Sequence, residues 1–96
     1  MWIQSNRNSR RNLDYEEEND MLKLKEMIGK KMTLLEMDNE ILDIVDGGES
    51  VFGYDRSHWK DGGFSYLDKY NVLFDIVKDN EDPLKVLVKI TDVELI

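Results

Sequence analysis

The only histidine of the chain, His58, lies between two aspartates and close to two serines, the residue types of a general-base catalytic site. A histidine oriented by Asp55 or Asp61 could take the proton of Ser57 or Ser65, which would then act as the nucleophile. Such chemistry needs a frame that holds the nucleophile, and neither a nucleophile-elbow pattern nor a phosphate-binding loop is present. We therefore predict that the chain is not an enzyme and assign no catalytic residues.

The acidic turns offer the oxygen ligands that calcium prefers, but their spacing does not match a calcium loop. In an EF-hand, ligands at the first, third and fifth positions precede a glycine at the sixth. With Gly62 in the sixth position, Ser57 and Trp59 fall at the first and third. Residues 79–82 have the oxygens, but Pro83 follows them and no glycine closes the turn. Because cysteine is also absent, we predict no metal site and no cofactor.

Aromatic side chains are concentrated in one window of the chain. Seven of the nine aromatic residues fall within residues 52–74, together with His58. Such side chains anchor cores and binding surfaces alike, because each buries a large apolar area. Phe52 and Phe74 lie inside strand patterns and are predicted to belong to the core. The predicted partner-binding residues are Tyr54, His58, Trp59, Phe64, Tyr66 and Tyr70.

The net charge of −8 is unevenly distributed along the chain. Residues 1–12 carry three arginines and no acid, whereas residues 33–96 hold fifteen acidic side chains against six basic ones. A body of that sign repels phosphate backbones, so nucleic-acid binding is disfavoured. The charge is compatible with a basic protein partner, or with solubility alone.

Composition divides the chain into a short arm and one domain. Residues 1–12 are polar and without hydrophobic period, which predicts a flexible arm or leader, and residues 13–96 are predicted to form a single small domain. No apolar run reaches the roughly 18 residues of a membrane span. Cysteine and a secretory leader pattern are both absent, so we expect a cytoplasmic protein without membrane contact.

Periodicity within the domain predicts one helix followed by strands. The helical pattern begins at Asp14 and ends at Gly29. Strands are predicted at residues 31–37, 40–46, 49–54, 71–78 and 84–90, with 93–96 as a short continuation. The first two are separated by Asp38-Asn39, a pair that suits a tight hairpin turn. The predicted fold class is α+β, with one N-terminal helix and about five antiparallel strands forming a bent sheet or small barrel.

The segment between the third and fourth predicted strands is unusually long. Residues 55–70 exceed the usual length of a connection, and six of them are Gly, Trp, Phe or Tyr. A segment that apolar is not a disordered linker. We predict an ordered flap over one end of the sheet, with Trp59 partly buried as its anchor.

Three segments resemble the Sm-like small-barrel family. They are Leu24–Lys30, Leu67–Phe74 and Ile90–Ile96, in the order of a helix, a glycine-lysine pair and strands. In that family an Asp-x-aromatic-Met-Asn phrase and a late Arg-Gly pair hold RNA bases. Here Asp68-Lys69-Tyr70-Asn71 lacks the methionine and Thr91-Asp92 replaces the basic pair. The resemblance therefore implies a barrel, but no binding residue is transferred from it.

These features predict a small acidic protein-interaction module without catalytic activity. A specific version is an inhibitor or regulator that presents carboxylates to a basic, nucleic-acid-handling partner. An alternative is a single-strand nucleic-acid binder with an Sm-like or OB-like barrel, in which Trp59, Tyr66 and Tyr70 stack on bases and the N-terminal arginines form an arm. A third hypothesis is a homo-oligomeric structural protein assembled through an exposed strand edge.

Overall fold

The computed structural model of the chain describes residues 19–96, and within them the fold is α+β with one open antiparallel sheet. The two helices are α1, described over residues 19–25, and α2 at Leu34–Ile44. The four strands are β1 at Lys31–Thr33, β2 at Gly63–Tyr66, β3 at Tyr70–Lys78 and β4 at Leu87–Leu95. Short 3-10 helices lie at Val51–Gly53, Arg56–His58 and Pro83–Lys85. The strand order is β1-β4-β3-β2, so β1 and β2 form the two edges.

The α+β class and the antiparallel pairing are confirmed, whereas the five strands and the barrel alternative are not, because the described residues form four strands in an open sheet. The predicted strand at 71–78 corresponds to β3, and β4 joins the two last predicted strands. The predicted arm at 1–12 and the predicted helix start at Asp14 lie outside the described residues. The described helix ends at residue 25, four residues before the predicted end, and a turn leads to Gly29, which has φ +89° and donates its N–H to the Ile90 carbonyl at 2.7 Å.

The first predicted hairpin is wrong, because most of its residues form α2. Thr33 caps this helix: its hydroxyl accepts the Glu36 N–H at 3.2 Å, and the Glu36 carboxylate accepts the Thr33 N–H at 3.4 Å. This reciprocal capping box satisfies two otherwise unpaired donors at the helix start. Leu34, Met37 and Ile41 recur at helical spacing and are buried together. The pair Asp38-Asn39 therefore lies within a helix, where the sequence suggested a turn.

The middle of the chain also differs from the predicted strands and loop. The predicted strand at 49–54 is a loop that contains the 3-10 helix Val51–Gly53. The predicted flap at 55–70 is ordered, but its second half is the strand β2 and the β2–β3 turn. Its first half is the 3-10 turn Arg56–His58, which leads to the buried Trp59.

The core lies on one face of the sheet, beneath α2. On β3 the buried side chains alternate at Tyr70, Val72 and Phe74. On β4 the period is broken between Ile90 and Val93, and both are nevertheless buried. Leu73 pairs with Asp92 and Phe74 pairs with Ile90, so the residue between the two partners on β4 is the extra residue of a β-bulge. The bulge returns Val93 to the core face.

One charged side chain, that of Asp38, is buried among residues 19–96, where it is 2% exposed. One carboxyl oxygen accepts the hydroxyl of Ser50 at 2.6 Å. The other accepts the N–H of Val51 and the hydroxyl of Tyr66, both at 2.9 Å. These bonds join α2, the loop that follows it, and β2 through one side chain. We call these four residues the Asp38 network.

Replacing Asp38 by alanine is expected to lower the free energy of unfolding by about 2 to 5 kcal/mol, because buried donors of Val51 and Tyr66 lose their acceptor. Chemical denaturation measures the change. The control is Asp43→Ala on the same helix, where the side chain is exposed; it should change stability by no more than about 0.5 kcal/mol. Equal effects of the two substitutions would contradict a structural role for the network.

Tyr66 is expected to make the fold sensitive to alkali. Burial, together with the negative charge and hydrogen bond of Asp38, raises the pKa of Tyr66 far above its ordinary value of 10.0. The unfolded chain therefore loses this proton first, so the stabilising contribution is complete below pH 10 and decreases as the pH rises further. Unfolding measured between about pH 9 and 11 should show a shallower pH dependence in Tyr66→Phe than in the unmodified chain. Identical slopes would contradict this assignment.

Candidate functional site

The six predicted partner-binding residues divide into a buried group and an exposed group. Trp59, Tyr66 and Tyr70 are at most 1% exposed, and Phe64 is 8% exposed, so these rings belong to the core. Tyr54 is 39% exposed, and His58 is also exposed. Of the six predicted residues, Tyr54 and His58 are therefore the ones whose rings lie at the surface.

The buried and exposed rings form a continuous series from the core to the surface. Tyr66 and Phe64 meet edge to face, with ring centroids 4.9 Å apart. Phe64 then meets Tyr54 at 5.3 Å, also edge to face, and Tyr54 meets His58 at 5.1 Å. Edge-to-face pairs at these separations are the favourable arrangement of aromatic quadrupoles. The exposed Tyr54 ring thus packs against Phe64, a ring of the core.

The loop that carries Tyr54 is held at its start and at its tip. Ser50 begins it, and the serine hydroxyl that donates to Asp38 also accepts the N–H of Phe52 at 3.2 Å. The hydroxyl of Tyr54 donates to the carboxylate of Glu49. That hydrogen bond and the charge of Glu49 raise the pKa of the Tyr54 hydroxyl, with smaller contributions from desolvation and from Asp68. The ring consequently has a defined position although it lies at the surface.

This ring lines a surface cleft of about 310 Å³ that we call the Tyr54 cleft. One wall is the loop after α2, and the other is the edge strand β2 with its turn. The cleft holds the carboxylates of Glu49 and Asp68 and no basic side chain. Its lining residues are Gly47, Glu49, Tyr54, Ser65, Leu67 and Asp68.

The turn between β2 and β3 contributes a strained apolar residue to the cleft. Leu67 and Asp68 both have positive φ, +58° and +49°, and the turn is closed by the Lys69 N–H bonded to the Tyr66 carbonyl at 3.1 Å. Hairpin turns with two such residues favour Asn-Gly or Asp-Gly, because a bulky side chain is disfavoured in the left-handed region. Leu67 nevertheless occupies the first position and is 44% exposed. It is neither a favoured turn residue nor part of the core.

Gly62 lies directly before β2 and determines where that strand starts. Gly62 has φ +99°, and a Cβ atom placed on it would lie 2.5 Å from the carbonyl oxygen of Phe74. That close approach accompanies a hydrogen bond from the Phe74 N–H to the Gly62 carbonyl at 2.8 Å. Any larger residue would force the two strands apart. The register of β2 beside β3, and hence the position of the turn, depends on this contact.

Two further surface depressions on the described residues have fewer features of a binding site. In one, the guanidinium of Arg56 donates to the carboxylate of Asp79 at 2.7 Å and to the carbonyls of Asn80 and Glu81. The hydrogen bond from the Asn80 N–H, and next the one from Arg56, lower the pKa of the Asp79 carboxyl group. This arginine is engaged within the chain and fixes the 3-10 turn to the β3–β4 connection. The other depression is a groove between α1 and α2, lined by both acidic and basic side chains.

His58, the base of the general-base arrangement considered from the sequence, has its ring packed on another aromatic ring in the described part of the chain. His58 contacts Asp55 only through its backbone, where its N–H donates to the Asp55 carbonyl at 2.9 Å, and its ring packs on Tyr54. Within residues 19–96, no hydrogen bond joins this ring to a serine or a carboxylate. The same residues contain no group of three or more His, Asp or Glu side chains arranged to hold a metal ion.

The chain matches no protein-family model, and no significant match was found among curated proteins or among solved structures. In the part of the chain that the structure describes, no helix is long and apolar enough to cross a membrane.

Sequence reasoning found Tyr54 through the aromatic window but missed the other lining residues of its cleft. The available signal for β2 was the alternation of Phe64 and Tyr66 with Gly63 and Ser65, a half-buried strand pattern inside the presumed loop. With β2 recognised, Leu67 would have followed as a hairpin-turn residue. Its strain is visible only in the backbone angles.

Substituting Leu67 by glycine is expected to raise the free energy of unfolding by about 0.5 to 1 kcal/mol. Relief of one left-handed residue, worth roughly 1 to 2 kcal/mol, exceeds the added backbone entropy of glycine in the unfolded chain. Thermal or chemical denaturation measures the gain. Asp68→Gly is the matched control and should gain less, because aspartate tolerates positive φ better than leucine. A loss of stability in Leu67→Gly would mean that the side chain contributes packing that outweighs its strain.

Proposed function

We propose that this chain is a small protein-interaction module that binds a basic segment of a partner protein in the Tyr54 cleft. One observation carries the proposal: an exposed aromatic ring and a strained, exposed leucine line the same cleft beside two carboxylates. Backbone strain that no local gain in stability offsets is characteristic of functional sites. Contact between a partner and the Leu67 side chain would offset the strain of its backbone.

The support of the Tyr54 ring favours a binding role. Rigid aromatic side chains contribute large contact areas at a low cost in conformational entropy. Phe64 and Glu49 restrain the ring before any partner arrives, so less freedom is lost on binding. A preorganised ring at the rim of a cleft is a typical anchor of a protein interface.

The charge of the cleft indicates the chemistry of the partner. Glu49 and Asp68 would pair with an arginine or lysine side chain, and the face of Tyr54 would add a cation–π contact. Arginine suits both contacts, because its planar guanidinium bonds carboxylates in a bidentate manner and stacks on rings. The acidic body of the chain would steer a basic partner toward the same surface.

The proposal includes no chemical step, so the module would act as a regulator or inhibitor by occupying a basic surface of its partner. Nucleic-acid stacking on the aromatic window receives no support, since Trp59, Tyr66 and Tyr70 are buried and offer no free ring face.

Affinity capture with the immobilised chain tests the proposal. At physiological salt, the unmodified chain should retain a protein from a lysate of the source cells, and cross-linking should place a segment rich in arginine or lysine against the cleft. Tyr54→Ala should weaken binding by more than about tenfold, as expected for an interface anchor. Leu67→Gly should weaken binding as well, while it stabilises the fold.

Controls separate a specific contact from general charge attraction. Asp75 and Val77 are exposed on β3, away from the lining residues of the cleft. Asp75→Asn changes the net charge by one, and Val77→Ala removes one exposed apolar side chain; both should retain the partner. If Tyr54→Ala and Asp75→Asn bind equally well, or if no protein is retained at this salt, the proposed function is wrong.

A further inference from the structure

Among residues 19–96, no hydrogen bond pairs the outward backbone groups of β2, which lie beside the Tyr54 cleft. The Phe74 N–H bonds to the Gly62 carbonyl, which fixes the alternation of the β2–β3 ladder. Residues 62, 64 and 66 therefore direct their backbone groups toward β3, and Gly63 and Ser65 direct theirs away from it. No described backbone or side-chain hydrogen bond reaches the N–H or C=O of either residue. Ser65 is exposed, and Gly63 is half-buried.

The opposite edge of the sheet is protected, which makes the β2 edge distinctive. The strand β1 is three residues long, begins with Lys31 and continues directly into α2. The outward N–H of Thr33 is taken by the Glu36 carboxylate. A lysine on the edge strand is a usual means of preventing strand addition, and the Thr33 N–H that already bonds to Glu36 is less available to pair with another strand. Within β2 the sequence Gly-Phe-Ser-Tyr contains no charge, no proline and no bulge.

We propose that the β2 edge accepts an extended, basic peptide segment of the partner as an additional strand. This inference rests on the proposed function and specifies how the segment binds: its backbone pairs with Gly63 and Ser65, and one basic side chain enters the Tyr54 cleft. Backbone pairing supplies affinity in such complexes, and side-chain pockets supply specificity. Ser65 belongs to both features, since it lines the cleft and has outward backbone groups.

A basic segment fits this edge better than a second copy of the chain. Two copies paired through β2 would place the same carboxylates, those of Glu49 and Asp68, in one interface, and each copy has a net charge of −8. Like charges brought together in an interface repel each other and suppress that pairing. An arginine-containing strand would instead place opposite charge beside both carboxylates.

The test uses the full chain labelled with ¹⁵N and a synthetic heptapeptide, acetyl-Thr-Val-Thr-Arg-Thr-Val-Thr-amide. Strand addition predicts slower hydrogen exchange of the Gly63 and Ser65 amides when the peptide is bound. The amide of Lys31, on the opposite edge, serves as the internal control and should not change. A peptide with glutamate in place of arginine should bind at least about tenfold more weakly.

Backbone methylation of the peptide distinguishes an added strand from a side-chain contact alone. Alternate amides of an added strand point toward β2, so one pattern of N-methylation should abolish binding while the alternate pattern leaves it within about twofold. If both methylated peptides bind like the parent and shifts are confined to the cleft, strand addition is overturned while the proposed function stands. If the arginine and glutamate peptides bind equally, the basic character is overturned.

Two further outcomes would also overturn the inference. Protection of Gly63 and Ser65 that grows with protein concentration in the absence of peptide would show that a second copy takes this edge. If the heptapeptide does not bind while the immobilised chain retains a partner through Tyr54, the partner uses the cleft without an extended strand. Failure of the capture experiment itself would reject the proposed function separately.

Discussion

The carboxyl group of Asp38 is removed from water, and the described chain satisfies it with three hydrogen-bond donors. A buried carboxyl without hydrogen bonds would cost several kcal/mol, so it is compatible only with a fold that surrounds it. Ser50, Val51 and Tyr66 provide these donors from two distant parts of the sequence. Their bonds fix how α2, the loop after it and β2 meet, which apolar packing alone would leave less specific.

The same constraint determines the shape of the Tyr54 cleft. One wall is the loop whose residues Ser50 and Val51 bond to Asp38, and Tyr54 follows three positions after Val51. The other wall is the turn that begins directly after Tyr66, the third donor. Both walls are therefore attached to one buried side chain, and the separation between them is set by a group that is not itself part of the cleft. A change in the core would be transmitted to the surface through these bonds.

What the sequence predicted well is what local patterns determine. The strand pattern of residues 71–78 predicted β3 to within one residue of its observed bounds, Tyr70–Lys78, because a strand is specified largely by its own residue types. The helix α2 was missed because Asp38 lies on its buried face between Met37 and Ile41, and a polar residue there interrupts the apolar period. An acidic residue followed by asparagine resembles turn chemistry until its distant partners are known. Those partners are set by tertiary structure, so no local pattern could reveal them.

The candidate site was predicted only in part, for a related reason. The aromatic window contains Tyr54, which lines the candidate cleft, yet composition could not separate the buried Trp59 from the exposed Tyr54. The features that distinguish the cleft are departures from local rules: Leu67 occupies a turn position that favours asparagine or aspartate, and β2 lacks the protection given to β1. Sequences usually agree with local conformational preferences, and departures from those preferences are expected at functional surfaces. The open strand edge at Ser65 and the disfavoured turn residue Leu67 lie on either side of Tyr66, which bonds to Asp38 in the core. Their proximity is more consistent with one binding surface than with two independent defects.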